Sequence, residues 1–121
     1  MKEKIIKVGI IQPKLDEDNE KNLKQIEKLF SRVVEDKPDV VCLPERWFLI
    51  NPFKPHLLEK IRSERGIQYS TAQEWAKKYN VPVIAGAIWE WREGYEKPFI
   101  TSYYFDKNGK EIGRQDKIQL Y

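Results

Sequence analysis

The chain has 121 residues, 40% hydrophobic and 34% charged, and its 22 basic and 19 acidic residues leave a net charge of +3. This composition is typical of one soluble globular domain and excludes a disordered chain, and the mixing of basic with acidic residues argues against a nucleic-acid-binding surface. A single cysteine excludes an internal disulfide framework, and the sequence has no apolar run of about 18 residues that could span a membrane.

The first part of the chain predicts a strand, a helix and a second strand. Residues 4–12 are rich in Ile and Val, which favours a strand. Residues 19–35 carry apolar side chains at helical spacing, with Asp18 or Asn19 as the N-cap. This apolar stripe consists of Leu23, Ile26, Phe30, Val33 and Val34. The apolar run 40–43 lies between two prolines and predicts a strand buried on both faces, so the three elements form a parallel βαβ unit.

The middle of the chain alternates between loops and regular elements. Residues 46–56 are aromatic but interrupted by prolines, which predicts a loop, and a short helix is expected at 56–63. A second helix is predicted at 66–79 and a third buried strand at 81–88, followed by a connection at 89–97. The apolar face of the second helix comprises Ala72, Trp75, Ala76 and Tyr79.

The last predicted element is a β-hairpin. Strands at 99–105 and 111–114 flank a polar segment that contains Asn108-Gly109. This dipeptide is typical of a type I′ turn, because both of its residues tolerate positive φ.

Glu45 is the first candidate functional residue. It follows the buried strand 40–43 directly, and reacting groups gather at the carboxyl ends of strands in α/β sheets. A charge held there is costly unless it has a partner or a function. Taken by itself, the residue could equally be a capping or surface carboxylate.

Several segments, in this order, resemble the carbon–nitrogen hydrolase, or nitrilase, superfamily. They are VGIIQ, Asn22 in the first helix, DVVCLPE, VPVIAGAIWE, TSYYFDKNGKEIGR and DKIQLY. The resemblance implies an α/β fold, a four-layer α-β-β-α sandwich. Residues 1–121 would form its N-terminal half, an incomplete domain with a mixed sheet, helices on one face and one hairpin.

The resemblance also implies hydrolysis of a small amide or nitrile by a Glu-Lys-Cys set without a cofactor. By position, Glu45 is the expected general base and Lys117 the cation that stabilises the tetrahedral intermediate. Trp47 and Phe48 are candidate substrate contacts, although packing in the core or an interface is favoured for both. The lone His56 has no second histidine to form a metal site, so no metal is expected.

The family's nucleophilic cysteine follows the lysine, so we expect it beyond Tyr121 and expect these residues alone to be inactive. Cys42 is not a substitute. Its odd separation from Glu45 points the two side chains of an extended segment to opposite faces, which indicates a small core residue. Two departures bear on the substrate, since Ile100 stands where the family often has Asn and Gln119 where it often has His.

A half-sandwich leaves one apolar sheet face open, which predicts a homo-oligomer or a complementary C-terminal half as partner. The alternative to an enzyme is a non-catalytic interaction module that binds through residues 47–53, with Glu45 and Lys117 dispensable. Residues 1–7 lack an apolar signal region, so a cytoplasmic protein is expected, with neither nucleic acid nor membrane as partner.

Overall fold

The computed structural model describes residues 3–48, 66–90 and 92–118. Its elements, in chain order, are β1 (Val8–Ile10), α1 (Asn19–Val33), a 3-10 turn (Val34–Asp36), β2 (Val40–Cys42), α2 (Ile67–Tyr79), β3 (Val83–Ile84), β4 (Ile88–Glu90), β5 (Phe99–Phe105) and β6 (Glu111–Asp116). The helix predicted at 56–63 and most of the aromatic loop lie outside the described residues. Within the described part, neither helix is both long and apolar enough to cross a bilayer.

The strands form one mixed sheet. β1, β2 and β3 are parallel neighbours, which confirms the predicted βαβ unit. β5 is antiparallel to β3 and β4 along one of its edges and to β6 along the other. The predicted α/β half-sandwich, with a mixed sheet and one hairpin, is confirmed.

Both helices pack on one face of this sheet. The Asp18 carboxylate caps α1, as predicted for one of two residues, by accepting hydrogen bonds from the first backbone N–H groups of the helix. Phe30 of α1 contacts Trp75 of α2 at 5.4 Å between ring centroids. Tyr69 of α2 meets the rings of the β5 residues Tyr103 and Phe105 edge-on. The predicted apolar stripes therefore face the core.

Part of the opposite face of the sheet is exposed and apolar. Val8 and Ile10 of β1 are 48% and 65% exposed. The sheet register aligns them with further partly exposed side chains on the neighbouring strands: Val40, Cys42, Ile84 and Tyr104. We call these six residues the open face.

The third predicted strand is interrupted. Residues 81–88 form β3 and the start of β4, and the chain leaves the ladder between them, where Gly86 has a φ of +66°. The Ala87 carbonyl accepts a hydrogen bond from the Arg46 N–H, 3.0 Å away, so this peptide supports the segment after β2. Trp89 and Glu90, predicted as part of a connection, belong to β4.

The hairpin is confirmed, but its turn is not type I′. Among residues 106–110 only Gly109 has a positive φ. The Asp106 carboxylate accepts hydrogen bonds from the N–H groups of Asn108 and Lys110, and Gly109 N–H donates to the Asp106 carbonyl. This is the pattern of a type I turn followed by a left-handed glycine. The local bonds of Asp106 keep Asn108 at negative φ. β6 also runs two residues further than predicted, to Asp116.

Candidate active site

Glu45 is held where the chain leaves β2. Leu43 N–H still donates to the Ile84 carbonyl at 2.9 Å, which carries the ladder one residue past the strand. Gly86 lies against the carbonyl groups of Leu43 and Pro44, where a Cβ atom would collide with both. The absence of a side chain at Gly86 therefore allows the close approach that positions Glu45.

The residue after Glu45 turns the chain back into the core. Arg46 has a φ of +52°, a left-handed conformation that costs energy for a residue with a side chain. The Trp47 indole is fully buried and donates its N–H to the Ala85 carbonyl at 2.9 Å. This anchoring holds the strained turn, so Glu45 stands at a sharp bend between two fixed segments.

Lys117 reaches the same place from β6. Its N–H donates to the Ile100 carbonyl at 2.7 Å, and its ammonium Nζ lies 3.4 Å from Glu45 Oε1. The two residues are 72 positions apart, and the sheet brings them together as the resemblance implied. Their catalytic roles stay a prediction.

The pair opens onto a shallow cavity of about 320 Å³. Besides Glu45 and Lys117, the cavity is lined by Ala87, Ile100, Ser102, Gln115 and Asp116. The side chains of Glu45 and Lys117 are 48% and 28% exposed, so solvent screens their ion pair. A carboxylate that accepts a proton beside an ammonium that stabilises developing negative charge is suited to acid–base chemistry on a small polar substrate.

Cys42 does not line the cavity beside Glu45 and Lys117. It is the last residue of β2, on the open face, and is not among the described residues that line the cavity. Partial burial raises the pKa of its thiol above the ordinary value, which keeps it protonated and weakly nucleophilic.

Trp47 and Phe48 are packed in the core rather than on the cavity. They are 0% and 2% exposed, with their ring centroids 4.8 Å apart. This is the packing that the sequence analysis favoured for both, and substrate contact by either ring stays a prediction. Residues 49–53 of the aromatic loop and His56 lie outside the described residues. Within the described ranges, no three His, Cys, Asp or Glu side chains are grouped to hold a metal ion.

Sequence reasoning missed a polar cluster beside Lys117. Arg92, Thr101 and Asp116 hydrogen-bond to one another, and Arg92 also binds Glu90. The only signal in the sequence was that Asp116 precedes Lys117. Arg92 belongs to the predicted connection at 89–97, and no local pattern indicated that its side chain would contact Asp116.

Comparison with known proteins identifies relatives along nearly the whole chain. A family model described as carbon–nitrogen hydrolase matches residues 7–121. The hydrolase in the agr operon of Staphylococcus aureus is 34% identical over 117 residues, which cover 95% of this chain and 43% of that protein. An apolipoprotein N-acyltransferase of Aquifex aeolicus (strain VF5) is 36% identical, over 95% of this chain and 24% of its own length. The chain thus spans less than half the length of either relative.

The fold also matches solved structures. The NitFhit protein of C. elegans superposes with a TM-score of 0.80 at 23% identity, over 96% of this chain and 28% of that one. At this level of identity the likeness concerns the fold alone. It shows that the sheet, its helices and the hairpin recur in the same arrangement.

Proposed function

Because the chain belongs to the carbon–nitrogen hydrolase family, we propose that it forms part of an enzyme that hydrolyses a small amide or nitrile through a Glu-Lys-Cys mechanism. The observation that carries this proposal is the meeting of Glu45 and Lys117, 3.4 Å apart at the edge of an open cavity. The sheet brings the ends of β2 and β6 to the same place, and this supports a shared role for a carboxylate and an ammonium group that are 72 positions apart in the chain.

The nucleophile is a cysteine supplied by a segment outside these 121 residues. Glu45 accepts the thiol proton, and the thiolate attacks the carbonyl or nitrile carbon. Lys117 stabilises the negative charge that develops on oxygen or nitrogen. With an amide, Glu45 returns the proton to the departing amine, leaving a thioester. Glu45 then takes a proton from water, which attacks the thioester and releases the acid and the thiol.

The open face supports a second element of the proposal. Val8 and Ile10 are exposed apolar side chains on one face of the sheet, and such a face is normally buried in a folded protein. In the enzyme, the segment that brings the cysteine covers this face. We call the chain combined with that segment the assembled enzyme.

Substitution of the two site residues tests the proposal. In the assembled enzyme, Glu45→Gln should lower turnover of a small amide by a factor of about 10² to 10⁴, the range of general base catalysis. Lys117→Ala should lower it by about 10² to 10³, the range for one stabilising donor.

Exposed residues provide matched controls for these two substitutions. Glu93→Gln and Lys24→Ala change the same residue types on exposed parts of the chain and should retain full turnover. All four variants should keep the circular dichroism spectrum of the parent. Full activity of a folded Glu45→Gln or Lys117→Ala variant would remove the site assignment.

Cys42 offers a separate check on the nucleophile. Its thiol is half-buried on the open face, so Cys42→Ser in the assembled enzyme should leave turnover within about twofold. The 121-residue chain alone should be inactive. Loss of turnover in Cys42→Ser without loss of folding would instead identify Cys42 as the nucleophile.

Two other functions remain open to test. The 36% identity to an N-acyltransferase favours acyl transfer to an amine, in which an amine replaces water in the attack on the thioester. Product analysis with an added amine distinguishes this from hydrolysis. For a non-catalytic interaction module, Glu45→Gln and Lys117→Ala would leave binding of the partner unchanged.

A further inference from the structure

Arg92 is the centre of a cluster that ties three strands together. Its guanidinium donates to Glu90 Oε2 in β4 at 2.9 Å and to Thr101 Oγ1 in β5 at 3.2 Å. It also donates to both carboxylate oxygens of Asp116 in β6, at 2.7 and 2.9 Å. The Thr101 hydroxyl closes the cluster by donating to Asp116 at 2.8 Å, and the guanidinium lies 4.0 Å from the centroid of the Phe99 ring.

The cluster is more than a surface ion pair. Glu90 is 3% exposed and Thr101 is fully buried, so the charge of Glu90 depends on a partner in the protein. Arginine suits this place because its planar fork meets two carboxylates at once, in addition to the hydroxyl. A lysine would keep the charge but not this geometry.

The same cluster holds the backbone that carries Lys117. β6 pairs with β5 only, among the described strands, so no further strand supports its outer edge. Its last residue, Asp116, is paired with Thr101, and Lys117 N–H continues the ladder to the Ile100 carbonyl. Successive side chains of a strand point to opposite faces. Asp116 therefore fixes the chain from one side while Lys117 reaches Glu45 on the other.

We propose that Arg92 is a positioning residue that holds Lys117 against Glu45 by clamping Asp116 to β4 and β5. This proposal rests on the catalytic role of Lys117 proposed above. Arg92 does not touch the substrate; it acts through the end of β6. Displacement of a catalytic group by about 1 Å can lower a rate by about 10²-fold, so a loosened strand end would be visible in kcat.

Two substitutions in the assembled enzyme test the clamp. Arg92→Lys keeps the charge and removes the fork, and Thr101→Val removes the bonds of one hydroxyl at nearly constant volume. We expect kcat to fall about 10- to 100-fold for Arg92→Lys and less for Thr101→Val, with KM changed by less than about threefold. Asp18→Ala, which loses the α1 cap, is a control for general destabilisation and should keep kcat.

Amide hydrogen exchange gives a readout that does not depend on catalysis. In Arg92→Lys the Lys117 N–H should exchange at least about 10-fold faster, while amides in the middle of β5, such as Tyr103, keep their protection. Unchanged exchange at Lys117 would overturn the proposal. Faster exchange with unchanged kcat would also overturn it, provided that Lys117→Ala is inactive. If Lys117→Ala retains full turnover, the proposed function fails and this inference with it. Should Arg92→Lys not fold, Thr101→Val decides by the same two measurements.

Discussion

Two carboxylates near the cavity have different surroundings. Glu45 is half-exposed and lies 3.4 Å from the Lys117 ammonium and 4.0 Å from the Arg46 guanidinium, whereas Asp116 accepts hydrogen bonds from Arg92 and Thr101. Hydrogen bonding by Arg92, with a smaller effect from Thr101, lowers the pKa of Asp116 from its usual 3.8 to about 2. The guanidinium in turn has its pKa raised by Asp116, so this pair stays charged at every physiological pH. Asp116 therefore stays ionised and keeps its hydrogen bonds to Arg92 and Thr101 near neutral pH.

This difference predicts how Asp116 affects stability with pH. Because its pKa is lower in the folded protein than in the unfolded chain, its stabilising contribution is complete above about pH 4 and is lost as the pH falls through about 2. Asp116→Asn should therefore unfold at lower urea concentration than the parent at pH 7. The difference between the two unfolding midpoints should narrow below pH 4 and disappear near pH 2.

Urea unfolding at pH 7, 4 and 2.5 measures this difference. Glu93→Gln, at an exposed carboxylate, is the matched control and should give curves close to those of the parent at all three values. A difference for Asp116→Asn that stays constant down to pH 2.5 would show that the variant loses packing and not a charged hydrogen bond.

At the scale of secondary structure, the break between β3 and β4 shapes the site. The carbonyl groups of Leu43 and Pro44 lie so close to residue 86 that a side chain there would collide with them. Gly86 has no side chain and therefore leaves room for both groups. The freed Ala87 carbonyl then bonds Arg46 N–H, immediately after Glu45. One glycine thus couples the third strand to the segment that carries Glu45.

Two glycines with similar backbone conformations test this coupling. Gly86 and Gly94 both have positive φ, but a Cβ at Gly94 would meet nothing within 4 Å. Gly94→Ala should therefore cost only the backbone strain, about 1 kcal/mol, whereas Gly86→Ala adds a clash with backbone and should cost about 3 kcal/mol in free energy of unfolding.

Chemical denaturation of the two alanine variants gives these values directly. Turnover in the assembled enzyme should also fall for Gly86→Ala and not for Gly94→Ala, since only the first displaces Glu45. Equal destabilisation of the two variants would mean that the backbone around Pro44 moves away from the added methyl group with little loss of stability.

At the scale of the whole molecule, we expect association of the chain through the open face. Its exposed Val8 and Ile10 are neighbours on the edge strand β1, and the face continues across β2 and β3. The 121-residue chain by itself should therefore self-associate through this face. A charged residue on this face should weaken that association.

Sedimentation velocity of the 121-residue chain measures the effect. Ile10→Lys should shift the mass distribution toward the monomer and reduce binding of an apolar dye. Tyr95→Lys is the control, because Tyr95 is also an exposed large side chain, at 60%, but lies outside the sheet. A parent chain that is already a monomer without dye binding would contradict the expected association.

The sequence predicted elements best where the pattern is periodic and local. The stripe of α1, the face of α2 and the cap at Asp18 follow from spacing and side-chain chemistry within one helix. The turn at Asn108-Gly109 was predicted with the wrong geometry. The Asp106 carboxylate accepts hydrogen bonds from the N–H groups of Asn108 and Lys110, which favours a type I turn over type I′. The break at Gly86 was missed, because its cause is the backbone of residues more than forty positions earlier.

The sequence by itself determined that this chain forms an α/β half-sandwich, and through its ordered motifs it indicated Glu45 and Lys117. Only the tertiary structure decided that the two meet at 3.4 Å, that Trp47 and Phe48 pack inside, and that Arg92 holds the end of β6. The physical reason is the range of the interactions. Helical faces and strand runs depend on neighbours in the chain, whereas the site depends on strands that pair across the sheet, and pairing partners are set only when the whole core packs.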